Sequence, residues 1–159
     1  MLSNKKLFWG LGTFGLLFIT GAAYKLKKLS NNLQIVIKPS VGMSLKGLKL
    51  KIEATLKNPT GGSMLVKTPF IVFQNAGKTF ASSDSVDQDY KIPKYGQKQL
   101  DPITIEVPFL TMASEFPDML KEYQQSGKIT ATIITRTTID GAIPYSNTQS
   151  VVLLNKGGN

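Results

Sequence analysis

The clearest pattern of apolar and polar side chains lies between residues 48 and 57, where the two kinds alternate over ten residues. Successive side chains of a strand point to opposite faces of a sheet, so this period predicts a strand with one buried face. Asn58 and Pro59, followed by two glycines, predict the turn that ends it, because proline cannot continue a ladder. The apolar positions are Leu48, Leu50, Ile52, Ala54 and Leu56.

Similar patterns predict the other strands. Residues 64–67 and 70–74 form a bent strand around Pro69, and a tight turn at residues 75–77 joins it to residues 78–82. Pro39–Gly42 is expected to break the first strand. The remaining strand-like runs are 31–37, 103–107, 128–138 and 142–154, with Asp140-Gly141 as the turn between the last two.

Between residues 112 and 123 the spacing of the apolar residues changes from that of a strand to that of a helix. These apolar residues recur at the spacing of one face of an amphipathic helix. Ser114 is the expected N-cap, Pro117 is tolerated in the first turn, and Gly127 is a fitting residue after the last turn. The face consists of Met112, Phe116, Met119, Leu120 and Tyr123.

The amino-terminal region has no such alternation. Leu7–Tyr24 is an 18-residue run without a charge, and a helix of that length spans roughly 27 Å, the low end of what crosses a bilayer core. We therefore predict a single membrane anchor. Its apolar and aromatic contacts with lipid are Leu7, Phe8, Trp9, Phe14, Leu16, Leu17, Phe18, Ile19 and Tyr24, and its flanking headgroup contacts are Lys5, Lys6, Lys25, Lys27 and Lys28.

Two other interpretations of this run stay open. A basic start, an apolar stretch and Gly21–Ala23 also match a cleavable secretory signal, and a buried helix of a soluble domain is the third alternative. The positive charges on the two sides of the run are nearly equal and do not decide its orientation in the membrane, because two lysines and the amino terminus precede the run and three lysines follow it. The domain is expected on the extracytoplasmic side or, alternatively, facing the shell of a virus particle.

The amino-acid composition excludes several kinds of catalytic and metal-binding site. The chain has 159 residues, a net charge of +9, and neither cysteine nor histidine, which removes disulfides, thiolate or imidazole metal sites and histidine-based acid–base catalysis. Arg136 is the sole arginine beside eighteen lysines, whereas nucleic-acid recognition favours the guanidinium. We expect no cofactor and no nucleic-acid partner, and modest attraction to anionic lipid.

Three short motifs resemble the sequence signatures of nucleotide-binding or metal-binding sites. Gly10–Gly15 matches G-x-G-x-x-G without the preceding strand that the dinucleotide motif needs. Gly77-Lys78-Thr79 resembles the end of a phosphate loop, but Val72 occupies the required earlier glycine position. Residues 82–90 hold three carboxylates that could offer oxygen ligands to Ca²⁺, although without the spacing of a helix–loop–helix calcium site. We therefore predict no enzyme and no metal site.

The strand that ends in Leu56-Lys57-Asn58-Pro59, the segment Ile92–Gly96 and the strand Ile103–Val107 together resemble the late-embryogenesis-abundant (LEA14-like) family, also called the water-stress and hypersensitive-response domain. The resemblance covers about residues 32–152. It implies a seven-stranded antiparallel β-sandwich with one helix, no catalytic site, and a structural role for Asn58 and Pro59 in closing the strand. Members are commonly tethered to membranes and associated with stress protection, defence signalling or envelope functions.

The sequence thus predicts a mainly β fold, an antiparallel β-sandwich of about seven strands and one short helix behind a single N-terminal transmembrane helix. The expected divisions are residues 1–28 as anchor, 29–154 as sandwich and 155–159 as a flexible tail. The expected function is that of a non-enzymatic binding, scaffold or protective module at a membrane surface, with lipid and protein partners. The alternative is a structural subunit of a membrane-containing virus particle or an envelope complex.

Overall fold

The computed structural model describes residues 32–155. Ten strands and two helices lie wholly within this range. The strands are β1 (Gln34–Met43), β2 (Gly47–Lys57), β3 (Met64–Lys67), β4 (Phe70–Asn75), β5 (Lys78–Ser82), β6 (Asp89–Ile92), β7 (Gln97–Gln99), β8 (Ile103–Pro108), β9 (Lys128–Ile139) and β10 (Ile143–Asn155), and the helices are α1 (Phe109–Glu115) and α2 (Pro117–Ser126).

The strands form two antiparallel sheets. In the first, β2 pairs with β1 on one edge and with β7 and β8 on the other. In the second, β9 pairs with β10 and with β3 and β4, which in turn pair with β6 and β5. Apolar side chains from both sheets share one core, so the predicted mainly β sandwich is confirmed at this level.

The alternating segment became β2 as predicted. Leu50, Ile52 and Leu56 are fully buried, while the intervening polar residues stay half-buried or exposed. Lys49 and Glu106 face each other across β2 and β8, with their charged atoms 3.9 Å apart on the solvent side. The period-2 pattern therefore identified the correct buried face.

Three neighbouring strand positions are interrupted at the same level of the sandwich. Thr68 and Pro69 separate β3 from β4, residues 83–88 separate β5 from β6, and residues 100–102 separate β7 from β8. The bent strand predicted around Pro69 is confirmed, because both of its halves pair with β9. The aligned breaks open a lateral cleft between the two sheets.

The predicted strand count was too low. The short strands β6 and β7 were missed because their apolar pattern is weak, and β7 exposes all three of its residues, Gln97–Gln99. Its extended form follows from pairing with residues 55–57 of β2. The predicted break at Pro39–Gly42 was also wrong, since β1 continues to Met43. An edge strand tolerates proline because one side of it forms no ladder.

The predicted single helix is two helices. Phe116 has φ −131° and ψ 51°, which is not helical, because the residue before a proline is pushed out of the helical region by the ring. Ser114 therefore lies inside α1 instead of capping a helix, and the prediction of its capping role was wrong. Pro117 in the first turn of α2 and left-handed Gly127 after it are confirmed.

The sandwich has two ends of different construction. We call one the loop end, where the described chain begins before β1 and where loops 58–63 and 93–96 and the hairpin turn 140–142 lie. The other is the helical end, which carries loop 44–46, α1 and α2. Because β1 runs from the loop end to the helical end over ten residues, the two ends are roughly 30 Å apart.

Candidate interaction surfaces

Asn58 organises the loop end. Its side chain is 1% exposed, and its Nδ2 donates to the carbonyl oxygens of Gly62 at 2.6 Å and Pro93 at 3.1 Å. Its Oδ1 accepts from the backbone nitrogen and the hydroxyl of Thr60, at 3.0 and 2.6 Å. A buried amide needs such partners to offset its loss of water. The side chain therefore connects loop 58–63 to loop 93–96.

Backbone hydrogen bonds strengthen this junction. The Asn58 nitrogen donates to the Gly96 oxygen at 2.9 Å, and the Tyr95 nitrogen donates to the Thr60 oxygen at 3.0 Å. Tyr95 adopts φ 52°, a left-handed conformation uncommon for a residue with a side chain. A methyl group at Gly96 would come within 2.5 Å of Pro93 Cγ. The segments 56–59 and 92–96, far apart in sequence, thus lie against each other.

A shallow groove of about 310 Å³ runs beside this junction. Its lining includes Gln34, Lys57, Pro59 and Tyr95. The Tyr95 side chain is 75% exposed, although its backbone is held by the hydrogen bonds above. The groove therefore combines a cation and an exposed aromatic ring with the point at which β1 begins.

The helical end exposes a cluster of apolar side chains that the sequence patterns did not reveal. Leu45 is fully exposed, Leu110 is 85% exposed, Met43 is 60% exposed and Phe109 is 39% exposed. The Phe109 nitrogen donates to the Lys46 oxygen at 3.0 Å, which brings the start of α1 against the turn between β1 and β2. We call these four apolar residues the apolar tip.

Below the tip, α2 is fixed to the sheet by Glu122. Its Oε1 accepts from the nitrogen and hydroxyl of Thr130 at 3.1 and 2.6 Å, and its Oε2 accepts from Nδ2 of Asn75 at 3.1 Å. Burial raises the pKa of Glu122, but the hydrogen bonds from Thr130 and Asn75 outweigh it and leave the pKa below its usual value. The carboxylate therefore stabilises the junction in its charged form.

The three carboxylates between residues 82 and 90 lie near the lateral cleft. Asp84 lines the cleft, which has a volume of about 310 Å³, while Asp87 pairs with Lys67 at 2.7 Å. A hydrogen bond from Lys67 lowers the pKa of Asp87 and raises that of Lys67. No group of three or more potential ligand side chains that could hold a metal occurs among residues 32–155.

The predicted site residues divide between two parts of the chain. The anchor residues in 7–24 and the headgroup lysines in 5–6 and 25–28 lie outside the described residues, whereas Asn58 and Pro59 lie at the loop-end junction. None of the helices within residues 32–155 is long and apolar enough to span a bilayer. The apolar tip was missed, and its only sequence signal is a leucine in the turn Ser44–Lys46.

No protein-family model matches the chain, and no curated protein sequence matches it. Among solved structures, a protein from Archaeoglobus fulgidus is similar, with 8% identity over 78% of this chain and 95% of that chain and a TM-score of 0.50. The sporulation control protein Spo0M from Bacillus subtilis is 13% identical over 77% of this chain, with a TM-score of 0.50, and this chain spans about half (49%) of its length.

A late embryogenesis abundant (LEA) protein solved in solution is also similar, with 16% identity, coverage of 95% of this chain and 89% of that chain, and a TM-score of 0.45. Identities this low bear on the fold and not on the activity. The two likenesses with a TM-score of 0.50 show that this mainly β, two-sheet antiparallel fold is shared with proteins of very different sequence.

Proposed function

We propose that this chain is a non-enzymatic, single-pass membrane protein whose sandwich acts as a binding or scaffold module at a membrane surface. The observation that carries the proposal is the apolar tip, at the end of the domain opposite the point where the described chain begins. Exposed apolar groups that lie together mark surfaces that a partner covers.

The position of the tip supports a protein partner over a small ligand. Leu45 and Leu110 project from a turn and a helix start instead of lining a cavity, and small-molecule sites are concave. If Leu7–Tyr24 anchors the chain, β1 begins ten residues after the anchor. We propose that the tip, roughly 30 Å from the loop end along β1, then faces away from the bilayer.

The test is the native mass of the full-length protein, gently solubilised from its own membrane. The wild type should migrate as a discrete species larger than its monomer, and the double variant Leu45→Ser, Leu110→Ser should migrate as the monomer. Val152→Ser is the matched control, because Val152 is also exposed, at 55%, but lies on β10. A wild-type monomer, or loss of the complex in the control, would contradict the proposal.

The anchor itself is tested by alkaline carbonate extraction. The wild type should stay with the membrane pellet, and a variant with Gly15→Lys and Leu16→Lys should be released, since charges at the centre of a spanning helix are costly. Recovery of that variant in the pellet would contradict a transmembrane anchor.

The second candidate is a structural subunit of a larger membrane-associated assembly, such as a membrane-containing virus particle or an envelope complex. The same tip favours it, because a permanent assembly buries apolar surface more completely than a transient one. A complex of fixed stoichiometry that survives dilution would favour the subunit. A complex that dissociates on dilution would favour the scaffold.

A further inference from the structure

The loop end carries a group of lysines without acidic partners. Lys94 and Lys98 are exposed and Lys57 is half-buried, and within residues 32–155 none of the three forms an ion pair. We call Lys57, Lys94, Tyr95 and Lys98 the basic patch. Pairing brings the ends of β2 and β7 together at the loop end, where Lys57 shares a face of the sheet with Gln97, and Lys98, opposite Leu56, belongs to the other face.

Charge is distributed differently at the helical end. There five lysines face four carboxylates, and Lys49 pairs with Glu106 and Lys121 with Asp118. The other lysines are Lys46, Lys78 and Lys128, and the other carboxylates are Glu115 and Glu122. At the loop end, Asp140 accepts a hydrogen bond from the Leu65 nitrogen at 2.8 Å, and it forms no ion pair with Lys57, Lys94 or Lys98. The larger local excess of positive charge therefore lies at the loop end.

Tyr95 adds an aromatic ring to this charge. Tyrosine rings prefer the boundary between lipid headgroups and acyl chains, where one part is apolar and the hydroxyl stays wet. The ring is 75% exposed, yet its backbone is fixed by the bond to Thr60 and by the turn at Gly96. An exposed ring on a fixed stretch of backbone, next to Lys94 in the chain and in the same groove as Lys57, is suited to an anionic interface.

The chain path brings the same end towards a bilayer. Gln34 lines the groove next to Lys57 and Tyr95, and Leu33 before it is buried in the core, so β1 begins beside the basic patch. Gln34 is ten positions after Tyr24, the last residue of the proposed anchor, and ten steps along the chain span at most about 35 Å. The start of β1, which borders the patch, therefore lies within that distance of the proposed anchor.

We propose that the basic patch binds anionic lipid headgroups, so that the domain stands on the bilayer with its loop end down and its apolar tip outward. The inference rests on the proposed membrane anchoring and names the surface that orients the domain. Each lysine near an anionic membrane contributes about fivefold to the ratio of docked to undocked domain, and three contribute on the order of 100-fold.

The chain has no cysteine, so a single introduced cysteine can carry a fluorophore. Ser63→Cys labels the loop end and Ser114→Cys labels the helical end, and both serines are exposed. The full-length labelled proteins are reconstituted into phosphatidylcholine vesicles with or without phosphatidylserine, and a quencher is attached to the lipid headgroups. Quenching at position 63 should increase with phosphatidylserine and fall at high salt, while position 114 should stay unquenched.

Lysine variants identify the surface responsible. Lys57→Gln, Lys94→Gln and Lys98→Gln together should abolish the phosphatidylserine-dependent part of the quenching at position 63. The same lysines changed to arginine should retain it. The matched control is Lys46→Gln, Lys78→Gln and Lys128→Gln, which removes three exposed charges at the helical end and should have no effect.

Equal quenching at both positions, or quenching that is independent of phosphatidylserine, would overturn the proposal. Stronger quenching at position 114 would also overturn it, because it would mean that the apolar tip contacts the bilayer. Carbonate extraction of the same samples separates this result from failure of the anchor. If carbonate releases the wild type, flotation with phosphatidylserine vesicles decides the patch: loss of flotation in the glutamine variant alone supports it, and equal flotation contradicts it.

Discussion

The two ends of the sandwich are stabilised by different interactions. At the loop end, a buried amide holds two loops through hydrogen bonds, and the exposed surface is basic and aromatic. At the helical end, Met112 and Met119 are buried in the core, one carboxylate fixes α2, and apolar side chains remain exposed. An end whose buried polar groups are hydrogen-bonded and whose surface is basic suits hydrated lipid headgroups, whereas exposed apolar groups suit the surface of a protein partner.

The two ends also differ in how far their stability depends on a single residue. Asn58 satisfies donors and acceptors in two loops whose ends are joined by the β2–β7 and β3–β6 pairs, and its side chain bonds the loops themselves to each other. The helical end distributes its stabilisation over apolar contacts of both helices with the core. We therefore expect the loop end to be sensitive at one side chain, and the helical end to be sensitive to steric changes and to acid.

The largest effect should follow from Asn58→Ala. It leaves the buried partners of the amide without hydrogen bonds, and we expect a loss of about 3 kcal/mol in the free energy of unfolding. Urea unfolding of the full-length chain in micelles, followed by circular dichroism, measures it. Asn147→Ala, at an exposed position of β10, should cost less than about 0.5 kcal/mol. Equal losses would mean that the amide does not hold the loop end.

Gly47→Ala should have the next largest effect. A methyl group there would overlap the carbonyl oxygen of Val107 and press on Pro108, so that β2 and β8 must separate at the helical end. We expect a loss of about 2 kcal/mol in the same assay. Gly62→Ala is the loop-end counterpart, because its added methyl group meets no atom within 4 Å. A neutral Gly47→Ala would show that the strand pair yields easily.

Glu122→Gln should cost about 1 kcal/mol at neutral pH, because an amide cannot accept all the hydrogen bonds that the carboxylate accepts from Thr130 and Asn75. The pKa of Glu122 is lowered in the folded chain, so its contribution is present above the unfolded pKa of about 4.3 and disappears as the pH falls through the lower folded value.

The difference in unfolding free energy between wild type and Glu122→Gln should therefore shrink as the pH is lowered through this range. Glu115→Gln, at an exposed position of α1, is the control and should change little at any pH. A difference that persists unchanged into strong acid would mean that Glu122 acts through packing and not through its charge.

The smallest effect on stability should come from Leu45→Ser with Leu110→Ser. Both side chains are almost wholly exposed, so the free energy of unfolding should change by less than about 0.5 kcal/mol, although the same variant should lose the complex. Urea unfolding measures the first and native mass the second. A loss as large as that of Asn58→Ala would mean that the tip packs within the domain.

Much of the fold was accessible from local patterns. The alternation in residues 48–57 identified β2 and its buried face, and Pro69 and Gly127 were placed correctly as a bend and a helix end. The failures have local physical reasons. Pro39 was taken as a break because strand pairing on one side was not visible, and Phe116 interrupts the predicted helix because the restriction imposed by Pro117 outweighs the apolar period.

The candidate surfaces were less accessible. Asn58 drew attention as part of a turn, but its bonds to Pro93 reach a residue 35 positions away. Lys57 and Lys98 come to the same end of the sandwich through the pairing of β2 with β7, and β7 has no apolar pattern that would predict a strand. Residues scattered along a polar sequence carry no signal of their proximity until the strands that bear them are paired.

By itself, the sequence determined most of the extended stretches, the buried face of β2, the bend at Pro69 and the helix end at Gly127, because these depend on side-chain period and backbone sterics within a few residues. Only the tertiary structure decided that Leu45 lies beside the start of α1, that three strand breaks align into a cleft, and that basic and apolar surfaces occupy opposite ends. Those arrangements depend on strand register and sheet packing between segments distant in sequence, and loop residues contribute too little burial to encode them locally.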